Sequence, residues 1–271
     1  MAQLRRLGFE PRLARHAVAQ NGFVSDTPQN RAADIHEMFL DPDVRLVLSA
    51  IGGDHSCHLL PHLDFELIRS HPKIFVGYSD TTVLSMAIWK RSGLVTFVGP
   101  ALLTDFAEFP AMFDFTLDAF LAVLSPGSTR VSFGMASEWT DEFLDWGAKR
   151  DLERPRRRMP ATGWNWVRSG SAQGELVGGC FESLQHLRGT PFWPDSWLDK
   201  ILFIEASDAK PDVFDGMLMD YENMGVLEQI SGLLVGRSFG HTAPQLTVPI
   251  GCMARIDAHA KRVELLEPAV G

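Results

Sequence analysis

Short apolar runs alternate with amphipathic stretches along most of this chain. Residues 44–51 (VRLVLSAI) are almost wholly apolar and stop at Gly52-Gly53, which is how a strand buried on both faces reads. Residues 74–76, with Tyr78, predict a second such strand, and residues 95–98, closed by Gly99-Pro100, a third. Helical patterns lie around them. Leu4 and Leu7 precede Gly8 as the end of a short helix, and residues 10–16 read as a short strand or an extended piece. Ser25-Asp26-Thr27-Pro28 joins an N-cap to a proline in the first turn and opens a helix over residues 30–39. Ala32, Ile35, Met38 and Phe39 share one face of it. Residues 55–60, 65–70 and 83–89 predict three more helices. This alternation implies a mostly parallel sheet covered on both faces, with ligands outside the carboxyl ends of its strands.

Residues 116–124 predict another helix, after which the pattern loosens. Residues 125–163 carry proline, glycine, clustered arginines, Trp139 and Trp146, and read as a linker with a loop over the site. A second α/β unit follows Gly170, with strands over 174–179, 200–204 and 230–235, helices over 182–187 and 213–225, and a terminal strand near 263–266. The expected division is 1–115, 116–168 and 169–271.

Composition narrows the function. The chain has 271 residues, 45% hydrophobic and 22% charged, with a net charge of −9. That charge argues against binding a nucleic-acid polymer or an anionic membrane. The basic run Lys149-Arg150, Arg154 and Arg156-Arg157-Arg158 is interrupted by Asp151 and Glu153, and reads as a solvated linker or as a dock for an anionic group. Cys57, Cys180 and Cys252 are odd in number and widely spaced, so no disulfide framework, no metal site and a reducing compartment are expected. No apolar run is long enough to cross a membrane, and the basic amino terminus has no apolar core, so no signal peptide is expected.

The chemistry gathers at predicted strand ends. Gly77-Tyr78-Ser79-Asp80-Thr81-Thr82 joins a strand to a helix, which exposes the Ser79 hydroxyl beside free helical N–H groups. That is a nucleophile elbow in geometry, although not G-x-S-x-G in letters. The same residues also serve as an ordinary helix cap. Glu205 ends another strand, and His241 lies in Ser238-Phe239-Gly240-His241-Thr242. A serine, an imidazole and a carboxylate suffice for acyl transfer. Equally, Glu205 can cap the next helix and His241 can be an ordinary loop residue.

These segments resemble the LD-carboxypeptidase family of serine peptidases, which includes the microcin C immunity peptidases. The resemblance runs through 31–44, through Gly52-Gly53 and 59–65, and most closely through His71-Pro72-Lys73-Ile74-Phe75-Val76-Gly77-Tyr78-Ser79-Asp80. It continues in 93–100, Gly178-Gly179-Cys180, 189–192, 201–205 and Phe239-Gly240-His241-Thr242 with 246–251. It implies a flavodoxin-like amino-terminal domain and a smaller, β-rich α/β carboxyl-terminal domain, with the site between them. It implies Ser79 as nucleophile, His241 as base and Glu205 as orienting acid. The N–H of Asp80 and one from Gly52-Gly53 would form the oxyanion hole. No cofactor is expected. The substrate would be a small peptide or a peptidyl or aminoacyl nucleotide, and the protein a cytoplasmic homodimer. Residues 137–141 and Trp146 resemble the loop of the microcin immunity branch, where a tryptophan stacks on a nucleobase. Trp146, Trp164 and Trp166 are candidate stacking residues, or fill the domain interface.

Two departures from the family pattern matter. A strand and helix that usually precede the position of Met1 are not in the chain, which should leave an unpaired sheet edge and exposed apolar surface. A helix and strand are also missing before Phe239, which should draw His241 away from the triad. A catalytically impaired binding protein on the same scaffold is therefore the rival reading. A third is a nucleotide-binding protein using Gly52-Gly53 as a phosphate turn, although G-x-G-x-x-G and a P-loop lysine are absent.

Overall fold

The computed structural model describes residues 1–128, 130–207 and 209–271. After a short α1 (Ala2–Arg6), the helix α2 (Pro28–Leu40) starts as its sequence predicts: the Thr27 side chain accepts from the Asn30 N–H, and Pro28 takes a position that needs no donor. Helix α3 (Phe65–Ser70) is capped by Asp64, which accepts from the Glu66 and Leu67 amides. Between them, residues 55–60 were expected as a helix, and 56–60 fall instead in a 3₁₀ segment, Ser56–His62.

Strands β1 (Leu46–Leu48), β2 (Ile74–Gly77) and β3 (Thr96–Val98) pair in parallel. Helix α4 (Thr81–Ser92) leaves β2, and α5 (Asp114–Leu124) follows β3. The loop region holds one small antiparallel ladder, β4 (Glu138–Trp139) with β5 (Met159–Pro160).

The second sheet has the order β11-β10-β6-β7-β8. Here β6 (Ser171–Cys180), β7 (Lys200–Glu205) and β8 (Gly232–Val235) are parallel, with α6 (Phe181–Leu184), α7 (Pro211–Asn223) and α8 (Val226–Gln229) between them. Ile201 to Ile204 are fully buried, which explains their unbroken apolar run. Strand β9 (Val248–Ile250) was not anticipated. It runs back to the first sheet and pairs antiparallel with β3, so that sheet contains a strand from the second half of the chain. Pro249 is tolerated because β9 is an edge strand. Strands β10 (Met253–Asp257) and β11 (Arg262–Leu265) close the second sheet in antiparallel fashion.

Helix α4 joins the halves. Nine of its twelve residues are buried, as expected of a helix covered all round. It packs on β2 and β3 of its own sheet and on β6 and α6 of the other. The Cys180 N–H donates to Thr82 Oγ1 at 3.1 Å across this junction. At the opposite edge, β1 is only half-buried and has no second strand beside it among the described residues. An apolar cavity of about 390 Å³, lined by Leu4, Phe9, Leu46, Leu48 and Phe106, follows that edge. Among the described residues no helix is long and apolar enough to cross a membrane.

Candidate active site

Strand β2 ends at Gly77, and the chain turns sharply through Tyr78 and Ser79 into α4. Ser79 has φ 59°, a left-handed conformation that non-glycine residues rarely take. Gly52 makes room for it: a Cβ on Gly52 would sit 2.6 Å from Ser79 Cβ and 2.7 Å from its Oγ. Asp80 is the N-cap by position, yet its side chain makes no cap hydrogen bond. Its Oδ2 instead accepts from the His55 N–H at 2.9 Å and the Ser56 N–H at 2.8 Å. The carboxylate thus ties the loop after Gly52-Gly53 to the Ser79 turn.

Glu205 is at the end of β7 and is 2% exposed. Both of its carboxylate oxygens lie 3.1 Å from His241 Nδ1. Two acceptors at one ring nitrogen assign the imidazole hydrogen to Nδ1. The other nitrogen, Nε2, faces Ser79 Oγ at 2.9 Å and is left to accept its proton. Ser79, His241 and Glu205 are therefore brought together in the order the chemistry needs.

His241 does not drift from this position, contrary to what the shortened segment before it suggested. Phe239 is 1% exposed and meets Phe203 of β7 edge to face, with ring centroids 5.7 Å apart. Gly240 lies so close to Glu205 that a Cβ there would overlap the carboxyl group. The Gln245 amide holds the Gly240 carbonyl, and Ala243 exchanges backbone hydrogen bonds with Thr140. These contacts fix the loop at both ends of His241, so no intervening helix and strand are needed. Tyr78 adds an edge-to-face contact with the imidazole at 5.1 Å between centroids.

A cavity of about 440 Å³ opens over Ser79 and His241. Trp146 lines it, 40% exposed, with Phe143 tilted against it at 6.0 Å between ring centroids. Trp164 and Trp166 do not line it; they pack against the hydrophobic core, so only one of the three candidate tryptophans reaches the site. Their separation has a simple cause. Trp146 lies in the loop over the cavity, whereas the other two lead back toward β6.

The basic run is neither a free linker nor an open anion dock. Arg154 forms a two-pronged pair with Glu142 at 2.7 and 2.8 Å, and Arg156 another with Glu108 at 2.6 and 3.2 Å. Arg158 reaches Glu138, and Arg156 and Arg158 both lie over the Phe113 ring. The hydrogen bonds from Arg154 hold the Glu142 carboxyl down at about 2. The arginines strap the loop across the cavity.

Asp105 was missed by sequence reading. It lies in a π-helical turn, Leu102–Phe106, that no local pattern announced. It lines the cavity and accepts from the Ala101 N–H and the Thr104 hydroxyl, and burial pushes its carboxyl up to about 6.

The chain is similar to known proteins over most of its length. The LD-carboxypeptidase N-terminal domain pattern matches residues 1–99, and the C-terminal domain pattern matches residues 173–239. The microcin C7 self-immunity protein MccF of Escherichia coli is 28% identical over 97% of this chain and 86% of its own length. A Bacillus subtilis protein named "Probable murein peptide carboxypeptidase" is 33% identical over 98% of this chain and 85% of its own. The structure of MccF with aspartyl sulfamoyl adenosine superimposes with a TM-score of 0.93, covering 100% of this chain and 90% of that one. The two-sheet architecture and these matches agree: the chain belongs to the LD-carboxypeptidase family and is a peptidase.

Proposed function

We propose that this chain is a serine carboxypeptidase that cleaves an amide bond near a free carboxylate through Ser79, His241 and Glu205. The observation that carries the reading is the unbroken line from Ser79 Oγ to His241 Nε2 at 2.9 Å and from Nδ1 to Glu205 at 3.1 Å. His241 takes the hydroxyl proton as Ser79 attacks the carbonyl carbon, and Glu205 stabilises the imidazolium. The tetrahedral oxyanion is held by the N–H of Asp80, one of the amides a helix start leaves without an internal partner, and by one from the Gly52-Gly53 turn. His241 returns the proton to the leaving amine, and water then cleaves the acyl-enzyme by the same route.

For the substrate we infer an acyl group joined to an aromatic leaving portion, in the manner of a peptidyl nucleotide. Support comes from the exposed Trp146 beside Phe143, and from MccF having been solved with aspartyl sulfamoyl adenosine. A murein peptide is the second reading, supported by the name of the Bacillus subtilis relative. The impaired-scaffold reading loses its motive, since His241 is in hydrogen-bond reach of Ser79. The phosphate-turn reading loses ground because Gly52 is occupied in shaping the Ser79 turn.

The test is hydrolysis of aspartyl sulfamoyl adenosine and of an L,D-tetrapeptide by the wild type and by Ser79→Ala, together with fluorophosphonate labelling. Turnover and labelling that vanish in the variant support the reading. Turnover that survives the substitution overturns it.

A further inference from the structure

We propose that Cys180, Glu205 and His241 form a binding site for a thiophilic divalent cation such as Zn²⁺, and that the bound ion switches the triad off. In the parallel ladder of β6 and β7, Cys180 is the register partner of Glu205, so the two strand ends present a thiol and a carboxylate side by side. The His241 loop lies over both. The Cys180 sulfur, a Glu205 oxygen and an imidazole nitrogen of His241 all lie within 4.8 Å of one another. Cys180 and Glu205 are each 2% exposed.

The donor set and its spacing suit zinc. Thiolate, imidazole and carboxylate are its ordinary ligands, and three protein donors leave a fourth position for water. Bonds of about 2.0–2.2 Å to nitrogen and oxygen at the tetrahedral angle place those two atoms roughly 3.4 Å apart. The Nδ1 to Oε1 separation is 3.1 Å, so the two atoms need to part by only about 0.3 Å. A sulfur bond of about 2.3 Å asks for roughly 3.5 Å between sulfur and nitrogen, and the three side chains bring their donor atoms within 4.8 Å of one another. The backbone beneath it is held by the Cys180 N–H bond to Thr82.

Binding releases one proton. The Cys180 thiol gives up its hydrogen to solvent and becomes a thiolate, while the neutral imidazole moves its hydrogen from Nδ1 to Nε2. Nε2–H then faces Ser79 Oγ and has no lone pair to receive the hydroxyl proton. The ion also takes the carboxylate that would have stabilised the imidazolium. Without metal the thiol stays protonated, because burial and then the nearby Glu205 charge push it far up. It is a spectator in that state, donating weakly to Glu182 at 3.5 Å.

The experiment uses the full chain freed of metal by a chelator. Zn²⁺ should suppress fluorophosphonate labelling of Ser79 at one equivalent, and EDTA should restore it. Cys180→Ser should label normally without metal and need at least about tenfold more Zn²⁺ for the same loss. Cd²⁺ should raise one thiolate-to-metal charge-transfer band per wild-type chain, absent in Cys180→Ser. That band needs no catalysis, so its result stands even if the peptidase reading fails. Equal Zn²⁺ sensitivity of the two proteins, or a wild type with no Cd²⁺ band, overturns the proposal. The second outcome is independent of whether Cys180→Ser folds.

Discussion

Ser79 Oγ and His241 Nε2 are 2.9 Å apart, although 162 positions separate the two residues in the chain. That contact crosses the junction between the two sheets. It depends on α4 on one side and on the Phe239-Gly240 anchor on the other.

Removing either partner should abolish turnover. Ser79→Ala and His241→Ala are each expected to cost on the order of 10⁴-fold or more in kcat, with little further loss when combined, since the residues act as one unit. Steady-state kinetics on the single and double variants check this, with circular dichroism to confirm the fold.

Gly240→Ala should disable the triad without touching any of its members. The added methyl would overlap the Glu205 carboxyl, so loop and strand end must part. A displacement of about 1 Å at a catalytic group costs roughly 10²-fold. The expected result is a loss of that order in fluorophosphonate labelling rate.

Asp105 makes stability fall as pH rises. Its carboxyl has an ordinary value of 3.8 and is raised by burial to about 6 in the folded chain. Between those values the folded state keeps a proton that the unfolded state releases, so stability drops through that window and levels off above it. The contribution is on the order of 3 kcal/mol at most. Asp105→Asn should flatten the wild-type trend in Tm between about pH 4 and about pH 7.

Trp146 and Trp164 should separate in their effects. Trp146→Ala removes a ring from the cavity wall and should raise KM for a substrate with an aromatic leaving group, leaving Tm nearly unchanged. Trp164→Ala removes a ring packed on the core and should lower Tm instead. Kinetics with aspartyl sulfamoyl adenosine and a thermal melt on each variant decide this.

Legibility followed burial. Strands β2, β3 and β7 were readable because strands covered on both faces need unbroken apolar runs. Strand β9 was not, because three residues with a proline at the centre look like a turn, and only their pairing with β3 makes them a strand. The strap escaped notice for a different reason. Arg156 and Glu108 are 48 positions apart, and nothing local in either stretch marks the other as its partner.

The sequence by itself determined a mixed α/β chain and named Ser79, Glu205 and His241 as the residues able to carry the chemistry, because residue type and strand ends are local properties. Only the tertiary structure decided that these side chains meet, that Cys180 sits opposite Glu205, and that one tryptophan of three faces the cavity. Those distances are set by how helices and sheets from remote parts of the chain pack together, and no short stretch of residues contains them.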